Sequence, residues 1–168
     1  MTSPQLDAFA DQARAFCRWA TGEDGTSISA ASALRKVSLI YAAALELPHP
    51  FTKRMSADLA GAQPPADSVA RVIARIVGLN PQGYWEVFDP FKDPPEEPVV
   101  GSVVDDIGDI YRHVARGLVL FESGEHAEAL WEWGFNFRVH WGEHATGVIR
   151  ALHAYLAQED PDGLSQGA

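Results

Sequence analysis

Apolar residues recur every three or four positions along most of this chain of 168 residues, which is the spacing of the buried face of a helix. Clusters of proline and glycine interrupt this spacing and divide the chain into five main helical segments. A further helical turn is predicted at 55–60. The pattern therefore predicts an all-α bundle of five or six helices. We expect the bundle to form one domain over residues 1–158, followed by a disordered tail at 159–168. The five main predicted helices cover residues 5–20, 27–46, 66–77, 103–122 and 126–158.

Residues 80–100, which we call the strap, break the helical pattern. They contain five prolines, which exclude a regular helix, and four large aromatic side chains, which are rare in disordered segments. We expect an extended segment that lies across the helices, with a short strand at 84–88 and with Trp85 and Phe88 buried. In the alternative interpretation the strap forms the lip of a ligand- or partner-binding site, to which Tyr84 and Glu86 contribute.

The last two predicted helices are joined by a short turn, so we expect them to form a C-terminal antiparallel helix hairpin. In that hairpin Asp105 is level with His144, and Asp109 is level with His140. Two carboxylates one helical turn apart therefore stand opposite two imidazoles one helical turn apart.

This constellation has three interpretations. Two histidines four residues apart on a helix can bind a metal ion and a carboxylate can complete the set, which makes His140, His144 and Asp109 candidate metal ligands. The same groups, with Asp105 and Asn136, could bind a small ligand or carry out acid–base chemistry. Alternatively they form a structural network, because on a helical wheel Asp105 and Asp109 lie opposite the apolar stripe of their helix and Asp105 fits a capping box. The choice depends on whether that helix is covered on both faces.

The charge of the chain argues against two classes of partner. The formal net charge is −10, and all of it arises in residues 66–168, which carry seven Lys/Arg and seventeen Asp/Glu. Such a surface repels phosphate backbones and anionic lipids, so we expect neither nucleic-acid nor membrane binding. A basic protein partner is compatible with it. The single cysteine, Cys17, lies on the apolar face of the first helix, where we expect it to pack in the core, and it suits a cytoplasmic location.

Three stretches of the sequence carry a resemblance to a known family: Tyr84–Phe91, Glu97–Tyr111 and Trp131–Ala145. Together they resemble the uncharacterised bacterial family called domain of unknown function 5063, and the similarity covers about residues 5–157. The resemblance implies a bacterial helical domain. It implies no activity and provides no site residues.

The sequence contains none of the nucleophile, phosphate-loop or metalloprotease motifs that would fix a reaction. We therefore expect a non-enzymatic interaction or accessory domain, monomeric or homodimeric, that needs no cofactor. The alternative is a helical protein that binds a divalent metal or a small ligand, with hydrolysis as one activity, through the His/Asp cluster between the last two helices.

Overall fold

The computed structural model describes residues 3–48 and 61–165. Well over half of these residues are helical, and their strands form one two-stranded antiparallel ribbon, so the predicted all-α bundle is confirmed. The helical turn predicted at 55–60 lies outside the described residues. Over the described ranges the elements are α1 Pro4–Thr21, α2 Ala30–Leu45, α3 Ala66–Ile76, β1 Gly83–Glu86, β2 Val99–Ser102, α4 Val103–Glu122, α5 His126–Asn136, a π-helical turn Phe137–Trp141, α6 Gly142–Glu159 and α7 Pro161–Ser165.

The start of α2 differs from the prediction. The helix begins at Ala30, three residues later than the predicted start at Ser27. Ser29 and Ser32 form a capping box, in which each hydroxyl oxygen accepts from the other residue's backbone N–H, at 3.1 and 3.0 Å. Several neighbouring residues are good helix caps, and this reciprocal pair decides between them.

Helix α4 lies at the centre of the bundle, where it packs against α1, α3, α5 and α6. Trp133 of α5 is fully buried against it, and its Nε1 donates to the backbone oxygen of Val114 at 2.9 Å. The indole occupies space that Gly117 leaves free, because a Cβ on Gly117 would lie 2.1 Å from Trp133 Nε1. Helix α4 is therefore covered on more than one face, and polar residues beside its apolar stripe can meet groups on α5 and α6.

The C-terminal hairpin forms as predicted, but its second arm is not a regular helix. Helices α4 and α5 are joined by a turn at Gly124, whose φ of 84° is in the left-handed region that favours glycine. From His126 to Glu159 the chain is helical without a break, close to the predicted 126–158. The π-helical turn inserts one residue into the α-helical repeat, which rotates all later side chains by about 100° relative to the earlier ones.

The strap is more exposed than predicted. Its strands pair with Tyr84 opposite Gly101 and Trp85 opposite Val100. Successive side chains of a strand face opposite sides, so Tyr84 faces the bundle and Trp85 faces away from it. Trp85 is 67% exposed and Phe88 is 70% exposed, and the prediction that both are buried was wrong. A two-stranded ribbon has one face towards the helices, and Tyr84 and Glu86 are in phase with that face whereas Trp85 is not.

The described part of the C-terminal segment, residues 159–165, is helical apart from Asp160. Helix α6 continues to Glu159, and α7 follows it, with Leu164 packed against the core. Within the described ranges, no helix has both the length and the apolar character needed to cross a lipid bilayer.

Candidate metal site

Three histidines form a row between α4, the π-helical turn and α6. His113 Nε2 lies 3.0 Å from His140 Nδ1, and His140 Nε2 lies 3.4 Å from His144 Nε2. Neighbouring rings meet edge to face, with centroids 5.0 and 4.7 Å apart. His140 therefore has one histidine on each side.

A carboxylate engages the outer nitrogen of each terminal histidine. His144 Nδ1 lies 2.7 Å from Asp106 Oδ1, and His113 Nδ1 lies 3.0 Å from Glu132 Oε1. An ionised carboxylate can only accept, so each Nδ1 carries a proton and donates it. Both carboxylates are buried, and Arg116 lies 3.7 Å from the second oxygen of Glu132. In their neutral forms His113 and His144 consequently have a lone pair on Nε2.

These bonds determine which nitrogen of His140 is protonated. Since His113 Nε2 accepts, His140 Nδ1 must donate to it, and a neutral His140 has a lone pair on Nε2. That lone pair faces the lone pair of His144 Nε2 across 3.4 Å. Two lone pairs at this distance repel each other, so an additional proton on one of the rings, or a metal ion between the two nitrogens, would stabilise the arrangement.

Asp109 provides a third inward-facing donor. Its Oδ2 lies 3.7 Å from His144 Nε2, while its Oδ1 pairs with Arg112. One donor atom from each of Asp109, His140 and His144 lies within 4.8 Å of the other two. Ligand atoms about 2.0–2.1 Å from a tetrahedral zinc ion are about 3.4 Å apart, so a small inward movement of Asp109 would complete such a site.

The surroundings shift the pKa values of His144 and His140 in opposite directions. The hydrogen bond to Asp106 raises the pKa of His144, although burial opposes the increase. Burial lowers the pKa of His140, and the neighbouring His144 and His113 lower it further. Of these two rings, His144 is therefore the one that takes up an additional proton more readily.

Tyr84 extends the network towards the strap. Its hydroxyl donates to Asp106 Oδ2 at 2.7 Å and also lies 3.2 Å from Glu86 Oε2. Two glycines make room for the side chain, since a Cβ would lie 2.6 Å from Tyr84 Cζ at Gly101 and 2.1 Å from its hydroxyl oxygen at Gly147. Burial and the bond to Asp106 raise the pKa of Tyr84, so the phenol remains a donor at neutral pH.

The family comparison agrees with the resemblance seen in the strap and the hairpin. The family described as Domain of unknown function (DUF5063) matches residues 1–158. The chain belongs to this family. DUF5063 carries no activity in its description, so membership does not indicate the chemistry of the chain.

One solved structure has the same fold as this DUF5063 chain. Protein BF1032 from Bacteroides fragilis superposes with a TM-score of 0.69 over 95% of each chain, at 17% sequence identity. At that identity the similarity shows the fold alone. No curated protein matches the chain significantly.

The structure brings together some predicted site residues of this DUF5063 chain and separates others. His140, His144 and Asp109 converge. Asp105 is exposed, and its backbone N–H donates to Ser102 Oγ at 3.2 Å, which is the capping role. The hairpin register puts Asp105 level with His144, but each helical residue turns by about 100° and the next residue, Asp106, is the one that faces the histidine.

Two further predicted residues lie at the edge of the site. Asn136 Nδ2 donates to the backbone oxygen of Glu132 at 2.9 Å, a bond within its own helix. Glu86 is linked to the histidines through Tyr84 and Asp106. Neither is among the three inward-facing donors.

The sequence analysis missed Asp106, His113 and Glu132 as site residues. A signal for the first two was present, since Asp106, Asp109 and His113 are spaced by three and four and so share one face of α4. Glu132 stands between two tryptophans, and nothing in that pattern shows that its carboxylate is buried beside a histidine.

Proposed function

We propose that this chain binds a divalent transition-metal ion, in the first instance Zn²⁺, through Asp109, His140 and His144. The observation that supports the proposal is the 3.4 Å contact between two imidazole Nε2 atoms whose other ring nitrogens already donate hydrogen bonds. A carboxylate oxygen stands beside them. Imidazole and carboxylate donors suit zinc and its first-row neighbours.

The groups around the ligands also support metal binding. Metal-bound histidines usually donate their second ring N–H to a carboxylate or another acceptor, which fixes the ring and increases its basicity. Asp106 does this for His144, and the pair of His113 and Glu132 does it for His140.

A site with three protein ligands leaves a coordination position for water. Zinc lowers the pKa of a bound water enough to supply hydroxide near neutral pH, so hydrolysis is the reaction class that fits such a site. The side chains of Asp109 and His144 retain 26% and 29% of their exposure, which gives solvent access to the position.

The setting that we propose is the bacterial cytoplasm. The single cysteine suits a reducing compartment, and the family resemblance supports a bacterial source. Interaction with a protein partner, the role that the sequence favours, does not compete with metal binding because it would use a different surface.

Elemental analysis tests the proposal. Protein purified without chelator and without metal-affinity resin should contain near-stoichiometric zinc, iron or manganese. The His140→Ala, His144→Ala double variant should lose it, while the His153→Ala control, which removes an exposed histidine from α6, should retain it.

Titration of the chelator-treated protein with Zn²⁺ provides a second, matched comparison. Asp109→Asn should weaken binding at least tenfold, whereas Asp105→Asn, one turn earlier on α4, should leave it unchanged. Circular dichroism would verify that each variant is folded. Equal zinc affinity in all the variants would show that the ion binds elsewhere and would refute the proposal.

A further inference from the structure

The outer face of the strap exposes large apolar side chains. Trp85 and Val100 are cross-strand partners and therefore share the face that points away from the bundle. They are 67% and 68% exposed, and Phe88 and Phe91 in the loop between the strands are 70% and 93% exposed. Several large apolar side chains exposed on one short segment mark an interaction site more often than single exposed apolar residues do.

Negative charge surrounds these side chains. Residues 86–97 contain five Asp/Glu and one Lys, and that lysine, Lys92, is held by Glu96 at 2.6 Å. The whole chain carries −10, so a second copy would bring like charges together at this face. Charge complementarity therefore favours a basic partner over a homodimer.

A groove of about 340 Å³ lies between the strap and α6, and the exposed Phe88 is one of the residues that line it. One wall is apolar, and the other positions carry two carboxylates and one arginine, which leaves the groove with a net negative charge. A Lys or Arg side chain fits this chemistry, with its methylene stem along the apolar wall and its charged group near the carboxylates and the face of Phe88. The residues that define the groove in this argument are Val87, Phe88, Pro90, Glu86, Glu143 and Arg150.

We infer that the strap and this groove form the docking site for a basic polypeptide segment that carries large apolar side chains beside its lysines or arginines. The groove takes one basic side chain, and the face of Trp85 and Val100 takes an apolar one. A small polycation such as a polyamine would satisfy the carboxylates but would leave that apolar face uncovered, so a polypeptide accounts for both features.

Fluorescence anisotropy with labelled synthetic peptides tests the inference. A peptide of alternating leucine and lysine should bind at least tenfold more tightly than an oligolysine of equal charge, and a peptide of alternating leucine and glutamate should not bind. If oligolysine or spermidine competes as well as the leucine-lysine peptide at equal charge, binding is only electrostatic and the inference fails.

Matched variants locate the binding site. Phe88→Ser and Glu143→Gln should each weaken binding of the leucine-lysine peptide about tenfold, the loss expected when an anchoring contact is removed. Leu39→Ser removes a comparably exposed apolar side chain from α2, and Glu159→Gln removes an exposed carboxylate from the same helix as Glu143. Both controls should bind as the parent protein does. Equal losses in variants and controls, or no loss in either, would place the binding elsewhere and overturn the inference.

Discussion

Replacing Gly147 with alanine tests whether Tyr84 occupies the position on which the network depends. A Cβ at Gly147 would lie 2.1 Å from the hydroxyl oxygen of Tyr84, 2.9 Å from Cζ and 3.2 Å from Cε2. The first distance is far inside van der Waals contact, so the phenol must move. When it moves, its 2.7 Å bond to Asp106 is lost.

The expected effect is the difference between opposing terms. Alanine is favoured over glycine within a helix by about 1 kcal/mol. Overpacking costs about 1–3 kcal/mol, and loss of a hydrogen bond to a charged group costs about 1.5–3 kcal/mol. We therefore expect Gly147→Ala to lower the free energy of unfolding by about 1.5–5 kcal/mol. For a protein of this size that corresponds to a Tm lower by roughly 3–20 °C.

Urea denaturation followed by far-UV circular dichroism, with a chelator present to remove any metal contribution, measures the effect. Tyr84→Phe removes the hydroxyl oxygen, which is the atom closest to the new Cβ. Gly147→Ala should therefore lower the free energy of unfolding by at least about 1 kcal/mol less in the Tyr84→Phe background than in the parent protein, and a double-mutant cycle measures this coupling. Gly108→Ala is the matched control, because a Cβ there meets Ile73 Cγ1 at an ordinary 3.7 Å. A stabilisation of about 1 kcal/mol by Gly147→Ala in both backgrounds would show that only helix propensity acts, and would refute the placement of Tyr84.

Three further predictions concern the site, the core and the single thiol. Asp106→Asn should weaken Zn²⁺ binding about 10–100-fold in calorimetric titration, because His144 loses the carboxylate that orients it; unchanged affinity would contradict that role. Gly117→Ala should destabilise the protein by about 1–3 kcal/mol and change the tryptophan emission, because its Cβ would lie 2.1 Å from Trp133 Nε1. Burial, with smaller contributions from Glu122 and Glu23, raises the pKa of Cys17 to about 12, so iodoacetamide at pH 8 should modify this half-buried thiol much more slowly in the folded protein than in the unfolded protein. The pKa of Cys17 in the folded protein exceeds its value of about 8.5 in the unfolded protein. The contribution of Cys17 to stability is therefore complete below about pH 8.5 and is lost as the pH rises towards 12. Rapid alkylation of the folded protein would contradict the raised pKa.

Much of the helical framework follows from local sequence signals. Both ends of α4 were predicted, because Ser102 caps it and a glycine turn follows it. The short turn then forces an antiparallel hairpin, which is why Asp109 could be expected near His140 and His144 without any tertiary information.

The orientation of side chains depends on more than these signals. The hairpin register places Asp105 at the level of His144, but Asp105 lies on a different side of α4. The carboxylate that reaches His144 is that of Asp106. The position of a residue along the helix axis follows from counting residues, whereas the direction in which its side chain points depends on how the two helices are rotated relative to each other. The π-helical turn at 137–141 adds a rotation that no local pattern in the sequence revealed.

The sequence by itself determined the class of fold, the hairpin and the three donors Asp109, His140 and His144, because helix periodicity and turn length act over a few neighbouring residues. Only the tertiary structure decided that Glu132 is buried beside His113 and that Tyr84 reaches Asp106 while Trp85 faces solvent. These features depend on contacts between residues far apart in the chain. Each requires a specific space, such as the one that Gly101 and Gly147 leave for a phenol ring, and such spaces exist only after the helices have packed.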